Sequence, residues 1–194
     1  SIFLKPRVTG LSLKNGDNLS AEVVVSNADY ASTYMNLIEP KHRRWNNNWK
    51  IRRMSYSMSL VVIYFGFKAT QRLDLRHHNI ILGPRYGELL SDIFKRKILA
   101  KDFSQYLHIP TITDPSLAPE NHHAAYTLIP VPNNQSNINW DIEGPKLTEA
   151  VLLFLDQEGY IPSLLRDLVH SEFITPDYFE NTLNSHIGNS FGVE

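Results

Sequence analysis

The 194-residue chain has no cysteine. That absence excludes a disulfide framework, a cysteine-ligated zinc site and a cysteine nucleophile. It also fits a reducing, cytoplasmic setting. No two of the nine glycines are spaced as G-x-G, so neither a phosphate loop nor a dinucleotide fingerprint is present. The G-x-S-x-G elbow of serine hydrolases is missing too. Excess charge of either sign is lacking. A formal net charge of −1 offers no field that would select nucleic acid. No apolar run reaches the length of a membrane-spanning helix.

What is present is a large apolar and aromatic fraction, 42% and 11%, enough to build a real core. The Asn15-Gly16 pair lies between the strand-like stretches 7–13 and 19–29, which predicts a β-hairpin. Residues 28–38 read as a short helix capped by Asp29. The run 56–67 is β-branched and aromatic, apolar on both faces from Leu60, as in a central strand. A helical stripe of Tyr86, Leu89, Leu90, Ile93 and Phe94 follows. Residues 104–110 and 124–132 read as further strands joined by a proline-rich loop. The best helix spans 140–158, with Pro145 near its start and Leu147, Val151, Phe154 and Leu155 on one face. Then come a short helix at 161–169, a strand at 170–175 and a helix capped by Thr175. The expected fold class is α+β, a mixed or antiparallel sheet with helices on one face.

The candidate chemistry is thin. His77-His78 and His122-His123 are adjacent pairs, and neighbours on a strand point to opposite faces. Neither pair therefore reads as a chelate, and no metal site is expected. Residues 41–53 carry six Lys/Arg, no acid, and Trp45 and Trp49 four apart. Such a stretch suits an anionic membrane surface, or equally a solvated helix with its tryptophans turned inward. Tyr64, Phe65, Phe67, Tyr126 and Leu128 suit either a core or the wall of an apolar ligand tunnel.

Four stretches taken together resemble the bacterial-type phytoene desaturases, FAD-dependent carotenoid desaturases of the flavin amine oxidase-like superfamily. They are VVVSNADYASTY, ILGPRYGELLSDIF, DPSLAPENHHAAYTLIPVP and FITPDYFENTLNSHIGNSFGVE, in that order. The motifs VVSNAD and DPSLAPE carry most of the specificity. The resemblance implies a piece of a longer flavoprotein. Residues 1–28 would be a β-hairpin of the FAD domain, 29–185 the substrate domain, and 186–194 a segment returning to the flavin. Ser26, Asn27, Ala28 and Asp29 match the family's SNAD motif and should lie near FAD. His186, Gly188 and Ser190 match the returning segment, although Ile187 and Asn189 depart from its pattern. Tyr64, Phe65, Phe67, Tyr126 and Leu128 would line the substrate cavity.

The implied reaction is desaturation of a long polyene by a protein lying against the membrane from the cytoplasmic side. The piece alone, unable to hold FAD, would be inactive, and an excised domain would tend to self-associate. Related carotenoid isomerases and ketolases share these motifs. A polyene- or lipid-binding module without redox activity is the alternative of a different class.

Overall fold

A computed structural model describes residues 2–5 and 7–193. Ser1, Pro6 and Glu194, which fall in the expected N-terminal segment and returning tail, lie outside the described residues. The strands are β1 (Ile2–Lys5), β2 (Arg7–Ser12), β3 (Asn18–Ser20), β4 (Ser59–Lys68), β5 (His78–Ile81), β6 (Gln105–His108), β7 (His122–Val131) and β8 (Leu168–Ile174). The α-helices are α1 (Tyr30–Ser32), α2 (Asn48–Arg52), α3 (Tyr86–Ser91), α4 (Trp140–Gln157), α5 (Leu164–Asp167) and α6 (Pro176–Asn181). They form an α+β fold with two antiparallel sheets, β1-β2-β3 and β5-β6-β7-β4-β8.

The larger sheet is organised by β4. It pairs with β7 along its whole length, from Ser59↔Val131 to Lys68↔His122, and with β8 on its other side. Side chains alternate between faces along a strand. On one face Val61, Ile63, Phe65 and Phe67 join Ala125, Ile129 and Leu107 in the main core. Leu147, Val151 and Leu155 of α4 close that core, as their helical spacing predicts. Asn139 caps α4 by accepting from the Asp141 amide at 3.1 Å, and Asp141 and Glu143 sit in its positive first turn. Pro145 is the sixth helical residue, deeper than the free first turn, so one helical hydrogen bond is lost there.

The expected hairpin forms around Asn15-Gly16, but its second strand is short. Gly10 is required at the crossing. Its φ is 153°, and a Cβ there would stand 2.1 Å from the Leu19 carbonyl oxygen. After Ser20 the chain leaves the sheet instead of continuing to Asp29. Val23 and Val25 are 77% and 87% exposed, so this apolar run has no partner among the described residues. The helical stripe expected from Tyr86 to Phe94 lies on α3 and a following π-turn at Asp92–Arg96. Leu89 and Ile93 are buried, whereas Tyr86, Leu90 and Phe94 are exposed. The short helix at 161–169 ends at Asp167, because Leu168 already begins β8. Strand β5 lies in a histidine-rich stretch with no strand signature and was not expected.

Candidate functional site

The second face of the sheet is not filled. Leu60, Val62 and Tyr64 of β4 project there, beside Tyr126 and Leu128 of β7. Ile174 of β8 continues that face, Phe173 reaches the groove's margin from the core side, and Tyr178, Phe179 and Leu183 of the α6 region form the facing wall. Together they enclose an open groove of about 740 Å³. Its lining is apolar and aromatic, with Glu172 at one edge. A volume in the range of small-molecule sites, lined mainly by apolar groups, suits a hydrophobic ligand. The Tyr64 and Tyr126 rings lie 5.9 Å apart, and Tyr106 on β6 extends the ridge at 6.1 Å from Tyr126. Burial, reinforced by Tyr126, Tyr178 and Glu172, raises the Tyr64 hydroxyl above its ordinary pKa, so the groove keeps it neutral.

Tyr64, Tyr126 and Leu128 thus share the groove, as three of the five expected cavity residues. Phe65 and Phe67 do not. They alternate onto the core face, 3% and 2% exposed, with their rings stacked on each other at 5.9 Å. A strand apolar on both faces gives no period-2 signal to say which residues face which way.

A second cluster forms where the chain's early and last segments meet. Asp29 caps α1 by accepting from the Ser32 amide at 2.8 Å. Its other carboxylate oxygen accepts from Asn189 Nδ2 at 3.2 Å. Asn189, 1% exposed, also donates to the His186 carbonyl at 2.7 Å and accepts from the Gly192 amide at 2.6 Å. Ser32 Oγ donates to the Asn184 carbonyl, whose neighbour Leu183 lines the groove. The tail is further tied to the approach of β4. Ser190 N donates to the Met58 carbonyl, Ser57 N to the Gly192 carbonyl, and Tyr56 bridges Val193. The His186 ring stands edge-on to Tyr56 at 4.9 Å. Burial, with Asp29 and Tyr30 nearby, pushes the Tyr56 hydroxyl up to about 12, and it donates to the Ile51 carbonyl at 2.7 Å.

Of the expected cofactor residues, Asp29 is tied to the returning segment through Asn189, in a junction near the Leu60–Leu183 end of the groove. Within it, Ser26 shares a hydrogen bond with Thr33 at 2.7 Å, and Asn27 and Ala28 are exposed. Gly188 has φ 63°, and a Cβ on it would lie 2.5 Å from the Pro176 carbonyl oxygen. Asn189 departs from the family pattern, yet together with Ser32 it joins the two segments. Only its long-range partner reveals that.

The proline-rich loop is anchored at both ends. Asp114 accepts from the Ser116 amide at 3.1 Å and from its hydroxyl at 2.6 Å. His123 shares a hydrogen bond with buried Thr111 at 2.8 Å, and His122 one with the Glu120 carbonyl oxygen at 2.8 Å. Burial lowers the pKa of His123, which keeps the imidazole neutral. The basic stretch turns outward rather than inward. Trp45 is 82% and Trp49 69% exposed, with the Arg53 guanidinium 4.7 Å from the centre of the Trp49 ring. Arg43 is the exception among its six cations. It is buried and donates to the Ile38 and Met35 carbonyls.

No protein-family model matches the chain. It is 40% identical over 190 residues to the lycopene-forming phytoene desaturase of a Paracoccus species, covering 97% of this chain and 38% of that protein. A neurosporene-forming phytoene desaturase of Rhodobacter capsulatus is 37% identical over 193 residues, 97% of this chain and 36% of the relative. The zeta-carotene-forming phytoene desaturase of Myxococcus xanthus is 35% identical over 188 residues, 96% and 35% of the two chains. The chain is a homologue of the phytoene desaturases. It spans little more than a third of the length of these relatives. By their names, those phytoene desaturases form lycopene, neurosporene and zeta-carotene respectively.

The junction is directly testable. Asn189→Ala should destabilise the protein by about 1–3 kcal/mol, because it strips partners from the Asp29 carboxylate and the Gly192 amide. Gly188→Ala should destabilise it as well, through strain at positive φ. Chemical denaturation of both variants checks this, and unchanged midpoints would show that the junction holds nothing together.

Proposed function

We propose that this chain forms the substrate-binding part of an FAD-dependent carotenoid desaturase, which introduces C=C bonds into a long polyene. The observation that carries this reading is the apolar groove on the second face of a sheet whose first face is already sealed by α4. A sheet facing water on that side would read polar; here it carries Leu60, Val62, Leu128, Ile174, Tyr64 and Tyr126. The homology to phytoene desaturases supplies the substrate class.

The junction residues fit a flavin contact in one respect. Ser190 Oγ is buried with no hydrogen-bond partner among the described residues, beside a glycine at positive φ. Ser26, Asn27, Ala28 and Asp29 on one side, and His186, Gly188 and Ser190 on the other, would hold FAD in the whole protein. FAD would supply the hydride acceptor; this chain's residues bind, orient and dry the polyene. Aromatic and aliphatic walls exclude water along the groove, and the Leu60–Leu183 end directs the ligand toward the junction. Exposed Val23 and Val25 are then surface that the rest of the flavin domain covers. Left bare, they would favour self-association.

A polyene must be drawn from a bilayer, and among the described residues no helix is long and apolar enough to cross one. Trp45 and Trp49, flanked by Lys41, Arg44, Lys50, Arg52 and Arg53, are the surface proposed to rest on the cytoplasmic face of a membrane.

In the intact enzyme, Leu128→Arg should lower kcat/KM for the polyene on the order of tenfold or more with flavin content unchanged. Wild-type turnover in that variant would contradict the groove assignment. Sedimentation with anionic vesicles should show binding that weakens as salt rises and falls in a Trp45→Ser, Trp49→Ser double variant. Vesicle binding by an intact protein that never takes up flavin would instead favour a polyene- or lipid-binding module without redox activity.

A further inference from the structure

We propose that His77, His78 and His108 form a binding site for one divalent transition-metal ion of the zinc or nickel type. One ring nitrogen from each lies within 4.8 Å of the others. The expectation against a metal assumed that His77 and His78 sit together on a strand. They do not. His77 precedes β5, so its ring turns beside that of His78, with centroids 4.3 Å apart. The third ring comes from the neighbouring strand, because His78 pairs with His108 across β5 and β6. The site is therefore built by sheet register and could not be read from local spacing.

The surroundings have the pattern of a ligand set. His77 Nδ1 shares a hydrogen bond with Thr113 Oγ1, and His78 Nδ1 one with the Tyr106 hydroxyl. Metal-binding histidines almost always donate their second ring N–H to an oxygen, which fixes the tautomer and directs the other nitrogen's lone pair at the ion. Both rings are held that way here. The Nε2 atoms of His77 and His108 stand 2.6 Å apart, a contact that a single shared proton must otherwise bridge. Nitrogens on one tetrahedral zinc lie about 3.3 Å apart, so this close pair must open by about 0.7 Å and the widest pair, within 4.8 Å, close by up to about 1.5 Å to admit the ion. His78 is exposed, which leaves an entry path and an open fourth position for water. Three neutral imidazoles without a carboxylate select a borderline ion such as Zn²⁺, Ni²⁺ or Co²⁺ over Mg²⁺ or Ca²⁺.

The ion would clip β5, a four-residue edge strand, to β6 and to the loop carrying Thr113. The His108 ring lies 4.6 Å from Tyr126, so the clip also braces the far end of the groove's aromatic ridge. This proposal rests on the histidine geometry and stands whether or not the groove takes a polyene.

The test is calorimetric titration of the intact, tag-free protein with zinc chloride, repeated with cobalt to read the visible d–d bands of a tetrahedral site. We expect one saturable site per chain, weakened at least tenfold by His78→Gln and by His108→Gln. His170→Gln, on the exposed part of β8, should leave it unchanged. His78 is at the surface, so its variant keeps the core intact, and circular dichroism verifies the fold. No saturable binding, or binding that survives His78→Gln undiminished, would overturn the proposal.

Discussion

The antiparallel ladder between β4 and β7 is the constraint on which the rest of the molecule depends. It runs unbroken from Ser59↔Val131 to Lys68↔His122, and it fixes which side chains share a face. A slip of one residue would exchange the core set Val61, Ile63, Phe65 and Phe67 for the groove set Leu60, Val62 and Tyr64. Because α4 occupies only one side, a sheet apolar on both faces is left with an unfilled apolar surface. That imbalance is stable only if something else covers the second face. Part of the cover is α6, and the remaining groove is the space offered to a ligand.

The same ladder sets the position of the chemistry. At the Ser59 end, the approach of β4 is tied to the last residues of the chain through Ser57, Met58 and Tyr56. Those residues meet Asp29 through Asn189. The groove and the junction proposed to meet the cofactor are thereby joined through short connections, which would align a bound polyene on one axis. Near the Tyr126 end, register brings His108 beside His78. The proline-rich loop, held by Asp114 at its start and by the Thr111–His123 bond, delivers β7 in that register. Its prolines reduce the entropy lost on ordering. The rigid loop thus serves the sheet, and its own histidines make local bonds.

Much of this was legible in the residues. The apolar run at β4, the periodicity of α4, the Asn-Gly turn and the Asp29 cap are local signals, and each marks an element that forms, although the hairpin's second strand stops at Ser20 and the helix expected at 28–38 is the three-residue α1 continued by a π-turn at Thr33–Leu37. Assigning Phe65 and Phe67 to the groove failed because a strand apolar on both faces has no alternation to read. Strand β5 escaped notice because RHHNII carries neither alternation nor a β-branched run of useful length. The inward packing considered for Trp45 and Trp49 failed because Trp45 precedes α2 and α2 turns Ile51, not Trp49, into the smaller core cluster. Asn189 and the histidine cluster were invisible for a different reason. Their partners lie 160 and 31 residues away, so only the folded chain brings them together. The motif resemblance pointed to the junction residues, and the fold supplies the contacts that join them.

Central to the account is that one face of the β4–β7 pair seals the core and the other receives a polyene. The most direct test is visible circular dichroism of a coloured carotenoid added to the intact protein in detergent. An achiral polyene held in a chiral groove acquires a signal in its own absorption band. The account predicts such a signal in the wild type and in a Phe65→Leu variant, and its loss in Tyr126→Asp. A signal that persists in Tyr126→Asp, or never arises in the folded wild type, would contradict it.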